Sequence, residues 1–264
     1  MNDRSRKVVS MVLFMKKLLK VAGVLTLVLS GGRSWANRAE APLPSVDAII
    51  ERVMTRSQQE SENDVIFKAN YFFKRSRTTE YRNLRGRLLE RQEKISANEP
   101  TPHPPNVGDA SAGGRANEIS PDAAQHKRDF VANTNLVQRF AFAVMGRELV
   151  EGRSTLVVEF KPASQKLPAA DFKERCLNQM AGRIWVDEVE DVIVKVEARL
   201  TEKIGLVGGL LGSVQKFNFS FGRERTEDGL WYTRQLTWRV EMRELVVNRV
   251  IDYVETRTDV HKSP

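Results

Sequence analysis

The residue types that carry most enzyme chemistry are sparse in this chain. Its three histidines, His103, His126 and His261, lie far apart, and Cys176 is the one thiol. A zinc site draws on Cys and His at short, characteristic spacings, and no Cys pair exists here to join the histidines. Nucleophile patterns fail as well, because no Gly-x-Ser-x-Gly occurs and no His stands near Cys176 in sequence. Gly205-Leu206-Val207-Gly208-Gly209-Leu210-Leu211-Gly212-Ser213 looks at first like a phosphate cradle. A P-loop, however, places Lys and then Ser or Thr directly after its last Gly, whereas Gly212 is followed by Ser213-Val214. The residues therefore point to a non-enzymatic protein with no cofactor and no metal. A secreted hydrolase would require three polar groups converging in one cleft.

What the chain offers instead is apolar material at strand spacing. Phe217, Phe219 and Phe221 fall on one face of one strand, Phe140 and Phe142 on one face of another, and Leu236, Trp238, Val240 and Met242 repeat the pattern. In a flat sandwich these residues are core. Around a strongly curved sheet they line a lumen for an apolar ligand. Phe140, Phe142, Phe217, Phe219, Phe221 and Trp238 are thus the candidate cavity lining. Leu206, Leu210 and Leu211 are candidates for a mouth loop that touches a membrane surface or guards the cavity, with packing against the domain's own core as the plainer reading. Cys176, beside Phe172, Leu177 and Met180, reads as a buried core thiol.

Two helices and a series of strands must position these groups. Ser45 is a good N-cap, and Val46, Ile49, Ile50, Val53 and Met54 recur at helical spacing, which predicts a helix over about 45–58. Val65, Phe67, Ala69, Tyr71 and Phe73 alternate with polar residues and predict a strand. A second strand covers Thr78–Arg82, turn residues Asn83-Leu84-Arg85-Gly86 follow, and a third covers Arg87–Ile95. Residues 98–125 are rich in Pro, Gly, Ala, Ser and Asn and read as a flexible insertion. Arg139–Met145 and Ser154–Lys161 form a hairpin around a loop at Gly146–Gly152. Asp171-Phe172-Lys173-Glu174 has the form of a capping box, giving a second helix over about 168–180 that Gly182 closes. Further strands fall at about 182–187, 191–202, 213–224, 230–242 and 245–257.

Charge and leader bound the setting. The formal charge is +8, but residues 1–36 hold seven bases (Arg4, Arg6, Lys7, Lys16, Lys17, Lys20, Arg33) against Asp3. The remainder, 35 bases against 33 acids, carries only +2, so nucleic acid is not an expected partner. Lys16, Lys17 and Lys20, the apolar run Val21–Leu29 and the small residues Ser34 and Ala36 form a secretory leader cleaved before Asn37. Met15 offers a cleaner start. An uncleaved anchor is the alternative, although the run is short for a span.

The order of leader, helix, charged strands, a helix leading into Gly182-Arg183-Ile184-Trp185-Val186-Asp187, a Gly-rich apolar connection and Asp228-Gly229-Leu230-Trp231 resembles the periplasmic lipoprotein carriers and their LolA/LppX-like relatives. The likeness covers 45–257 in architecture and about 181–254 in motif. It implies a half-open β-barrel that carries lipids or acyl chains through the bacterial envelope, with helices capping its concave side. It also implies an Arg in the barrel holding the lid, for which Arg139, Arg183 and Arg234 are candidates. The long insertion departs from the pattern.

The expected fold is α+β and β-dominated: a strongly curved antiparallel sheet of about ten strands with two capping helices on the concave side. Along the chain this gives a signal peptide (1–36), a leader with the first lid helix (37–62), first strands (63–97), the flexible loop (98–129), the remaining strands and second lid helix of the same half-barrel (130–258), and a tail (259–264). The expected protein is a monomeric envelope protein that binds a lipid, acyl chain or lipoprotein, with membrane-surface proteins as further partners. Its rival is an interaction or assembly module with a filled core and no ligand.

Overall fold

Ser45 begins the first helix in extended conformation, its hydroxyl accepting the Ala48 amide at 3.3 Å. Asp47 in the first turn and Arg56 in the last complement the helix dipole. In the computed structural model, which describes residues 42–60, 63–100, 134–206, 212–244 and 247–263, this helix, α1, spans Val46–Gln59. The leader with Met15, and the insertion from residue 101 to 133, lie outside the described residues. No described helix is long and apolar enough to cross a membrane.

The next segment departs from expectation. Asn63–Asn70 is a helix, α2, and the strand begins only at Tyr71. Alternation over Val65–Phe73 is ambiguous because Phe67 and Tyr71 also stand one helical turn apart. Phe67 is buried and stacks on Tyr71, Phe73 and Tyr232 at 4.9–5.1 Å, a contact among distant segments that local pattern does not encode. Strand β1 then runs unbroken over Tyr71–Arg82, and β2 covers Leu88–Asn98. A short helix, α3 (Thr134–Val137), precedes β3 (Phe140–Val150) and β4 (Arg153–Pro162). Their turn is tighter than expected, since Glu151 (φ 49°) and Gly152 (φ 76°) make it alone. Gly146 belongs to the strand, at a register shift.

Helix α4 (Phe172–Leu177) is shorter than expected, with Asp171 accepting the Glu174 amide at 2.8 Å. Gly182 does not close it. That residue lies within β5 (Met180–Asp187), where a Cβ would meet the Glu197 carbonyl oxygen at 2.0 Å. The remaining strands are β6 (Ile193–Leu200), β7 (Ile204–Leu206), β8 (Gly212–Arg225), β9 (Trp231–Glu244) and β10 (Val247–Lys262). The end assigned to a tail is therefore paired strand, with Phe72 opposite His261 and Tyr71 opposite Lys262.

Among the described residues, ten strands join one antiparallel sheet in the order β2-β1-β10-β9-β8-β6-β5-β4-β3, with β7 beside β8. Consecutive strands β2 and β3 lie at opposite edges, so the sheet is an open, β-dominated half-barrel with few helices, as expected. Its outer face is built by the two tryptophan motifs. Trp185 donates to Glu148 at 2.8 Å and Trp231 to Glu190 at 2.9 Å. Arg153 bonds buried Asp187 through two nitrogens and lies 5.4 Å over the Trp231 ring. Asp187 also accepts the amides of Val189 and Glu190, fixing the β5–β6 turn. These motifs are scaffold.

Candidate ligand-binding face

Register decides which side chains share the inner face. Directly paired residues project to the same side of a sheet, and Ala198 pairs Phe219, Phe219 pairs Trp238, and Trp238 pairs Tyr253. Val196, Phe221 and Leu236 form a second such row. Phe217 pairs Val240, which pairs Ile251 and then Tyr81. From the other edge, Phe142 pairs Phe160. All six candidate lining residues enter one apolar cluster: Phe217, Phe221 and Trp238 are buried, while Phe140, Phe142 and Phe219 are half-buried.

The rings are organised as well as collected. Phe217 and Phe219 lie parallel at 6.5 Å, Trp238 stacks on Tyr253 at 5.2 Å, and Phe140 meets Phe160 edge-on at 5.2 Å. Such pairs add about 0.5–1.5 kcal/mol beyond area burial.

The helices cover parts of this face. Ile49 and Val53 of α1 pack on Leu156, Val158, Val186 and Phe142. Phe172 of α4 touches the aromatic cluster, and α2 covers the far end through Phe67. Of the three arginines considered for holding a lid, Arg139 is the one that ties a helix to the sheet. It is buried, donates to Asn178 at 2.7 Å and to the Pro168 carbonyl at 3.2 Å, and pairs with Glu174 at 3.2 Å. Arg183 is exposed, and Arg234 is exposed and paired with Glu224. Cys176, on α4, is half-buried, and burial pushes its thiol up to about 12, which disfavours the thiolate.

The mouth-loop candidates divide. Leu206 belongs to β7, with Gly212 opposite it, whereas Leu210 and Leu211 lie outside the described residues. At Gly212 (φ 136°) a Cβ would stand 2.1 Å from the Arg243 carbonyl oxygen, so glycine is required where the connection re-enters the sheet.

Sequence reasoning missed a charged end to the same face. Arg257 pairs Arg75, and Glu255 pairs Arg77, which in turn pairs Lys94. Glu255 is buried and binds Arg75 at 2.7 Å, Arg77 at 3.4 Å and the Tyr253 hydroxyl at 2.6 Å. Burial opposes its charge, yet these partners hold its carboxyl below the usual range. Buried Glu60 bridges Arg223 at 3.2 Å and Arg56 at 3.6 Å. The arginine alternation in β1 is visible in sequence, but only pairing with β10 turns it inward.

No protein-family model matches the chain, and no curated protein matches it. The solved structures to which it is similar include a DUF1329 family protein from Desulfovibrio piger, at 13% identity and TM-score 0.31, over 83% of this chain and 93% of that one. They also include a LolA superfamily protein from Nitrosomonas europaea, at 10% identity and TM-score 0.28, over 84% and 95%. A third is a domain assigned to outer membrane lipoprotein sorting from Vibrio parahaemolyticus, at 13% identity and TM-score 0.28, over 81% and 93%. The second belongs to the superfamily that the sequence resembles.

Proposed function

We propose that this protein is a non-enzymatic carrier of the cell envelope, exported through its leader, that holds a lipid, an acyl chain or the acylated end of a lipoprotein on the inner face of its half-barrel. The observation that carries the reading is the incomplete cover of that face. Phe140, Phe142, Phe172, Phe219, Val196 and Leu200 border the buried cluster yet remain half-buried. Apolar area left in contact with water is area a ligand can remove. Each methylene buried contributes about 0.8 kcal/mol, so a dozen contribute on the order of 10 kcal/mol before the costs of ordering both partners.

A second reading rests on the other half of the same cluster. Phe217, Phe221 and Trp238 are 4–8% exposed, which suits a filled core and an interaction module without ligand. Mass spectrometry of the protein purified without detergent, under native conditions and after solvent extraction, separates the two. The carrier reading expects a bound lipid, or stoichiometric uptake of an added fatty acid. An empty protein that takes up no acyl chain contradicts it and favours the module.

A further inference from the structure

Arg257 is an expensive residue where it stands. It is 9% exposed, and its Nε and Nη1 have no hydrogen-bond partner. Its contacts are with the rings of Phe67 and Phe73, 5.6 and 5.3 Å from the guanidinium carbon. Like charges directly opposite one another weaken a sheet, yet Arg257 faces Arg75 and Arg77 faces Lys94. At this end of the three strands the inner face sets Arg75, Arg77, Lys94 and Arg257 against Glu255, a local surplus of three positive charges from four bases and one acid. The helices add Asp64 and Glu60, but Glu60 is already shared between Arg56 and Arg223. Burial pushes the Arg257 guanidinium down from its ordinary value, with Asp64 and Glu255 pulling against Arg75 and Arg223. The Arg75 and Arg77 side chains are 24% and 29% exposed, so the cluster can be reached.

This end is continuous with the aromatic floor. Glu255 and Arg257 follow Tyr253 on the same face of β10, and Tyr253 stacks on Trp238, whose buried indole N–H has no hydrogen-bond partner. From Trp238 the floor continues to Phe219 and Phe217. Four residues of strand, about 13 Å, separate Tyr253 from Arg257. The inner face is thus amphipathic along its length, apolar over β4–β9 and cationic where β10, β1 and α2 meet.

Resting on the carrier reading above, we infer that the ligand is an anionic amphiphile: its carboxylate or phosphate head lies at Arg77 and Arg257 beneath α2, and its acyl chain runs from there toward half-buried Phe219, which pairs Trp238. The head supplies the acceptor that Arg257 lacks, since charge-assisted bonds from guanidinium to carboxylate or phosphate are the strong ones.

The test uses displacement of a neutral apolar probe, N-phenyl-1-naphthylamine, from the exported protein. The competitors are palmitoyl lysophosphatidylglycerol, palmitoyl lysophosphatidylcholine and inorganic phosphate. The anionic lipid is expected to displace the probe at about a tenfold lower concentration than the zwitterionic one. Arg257→Met and Arg77→Gln should each reduce that preference to about threefold or less, while Arg239→Gln on the outer face leaves it unchanged. Arg257→Met should also match or exceed the wild-type melting temperature, because it removes a buried charge without an ion pair. Should it fail to fold, Arg77→Gln and the salt dependence of the wild-type preference decide.

Equal displacement by the two lipids overturns the head-group assignment and leaves the carrier reading standing. No probe binding and no displacement overturn both. Inorganic phosphate that abolishes the preference at millimolar concentration makes the cluster a free-anion site and overturns the lipid assignment.

Discussion

Asp228 shows how much a single turn residue holds. It accepts hydrogen bonds from Thr226 and Tyr71 and pairs with Lys262 at 3.0 Å, joining the β8–β9 turn to the ends of β1 and β10. Burial opposes its charge, but the bonds from Thr226 and Tyr71 and the Lys262 ammonium outweigh that and bring its carboxyl down to about 2. A depressed folded-state value means stability that is complete above the unfolded-state range, near 4, and is lost as pH falls toward 2. With a third of the side chain exposed, the net contribution is about 1 kcal/mol. Asp228→Asn should cost that much at pH 7 and flatten stability between pH 4 and 2, as urea melts at each pH will show. Gly182→Ala should cost about 3 kcal/mol or more, because its Cβ meets backbone that cannot give way. Gly182, Ser45 and Asp171 stand out in the sequence, although Gly182 was legible as a glycine with a purpose and not for the purpose it has. Arg257 was not legible at all. Its side follows from pairing with Arg75, 182 residues away, and no local period records that.

At the scale of elements, the strands were readable because alternation survives in them, and the ten expected strands become ten observed ones by a different division. Two expected strands fuse into β1 once Asn63–Asn70 turns helical, and β7 emerges from the Gly-rich connection. The helix was misjudged because a stretch of eight residues with Val65, Phe67 and Ala69 satisfies both periods, and packing of Phe67 on Tyr232 settles the matter. Helix α4 depends on Arg139 more than on its own six residues, which are too few to be stable alone. Arg139→Met removes the guanidinium contacts of Asn178 and Glu174, which keep only their bonds to the Leu167 carbonyl and the Ala170 amide, and should destabilise the protein by about 1–3 kcal/mol. It should loosen α4 first. Cys176 is the reporter: its alkylation by iodoacetamide at pH 8 should quicken by about tenfold relative to wild type. An unchanged alkylation rate would mean that α4 is held by Phe172 and Leu177 instead.

Across the whole molecule, one open sheet divides its labour between faces. The outer face is tied by tryptophan–carboxylate bonds and the Arg153–Asp187 pair, whereas the inner face carries an aromatic and aliphatic floor and, where β10, β1 and α2 meet, guanidinium groups beside a second set of rings. The class of fold was legible because the apolar period names strands, and strands that alternate this strongly need a single buried face. The composition of that face was half legible: its phenylalanines were, its arginines were not. Photo-labelling with a diazirine-bearing palmitate, followed by peptide mapping, tests the central claim most directly. Label on the peptides carrying Phe217, Phe219, Phe221 and Trp238, reduced by excess unlabelled palmitate, is the predicted result. Absent labelling, or label confined to outer-face peptides and insensitive to competition, would contradict it.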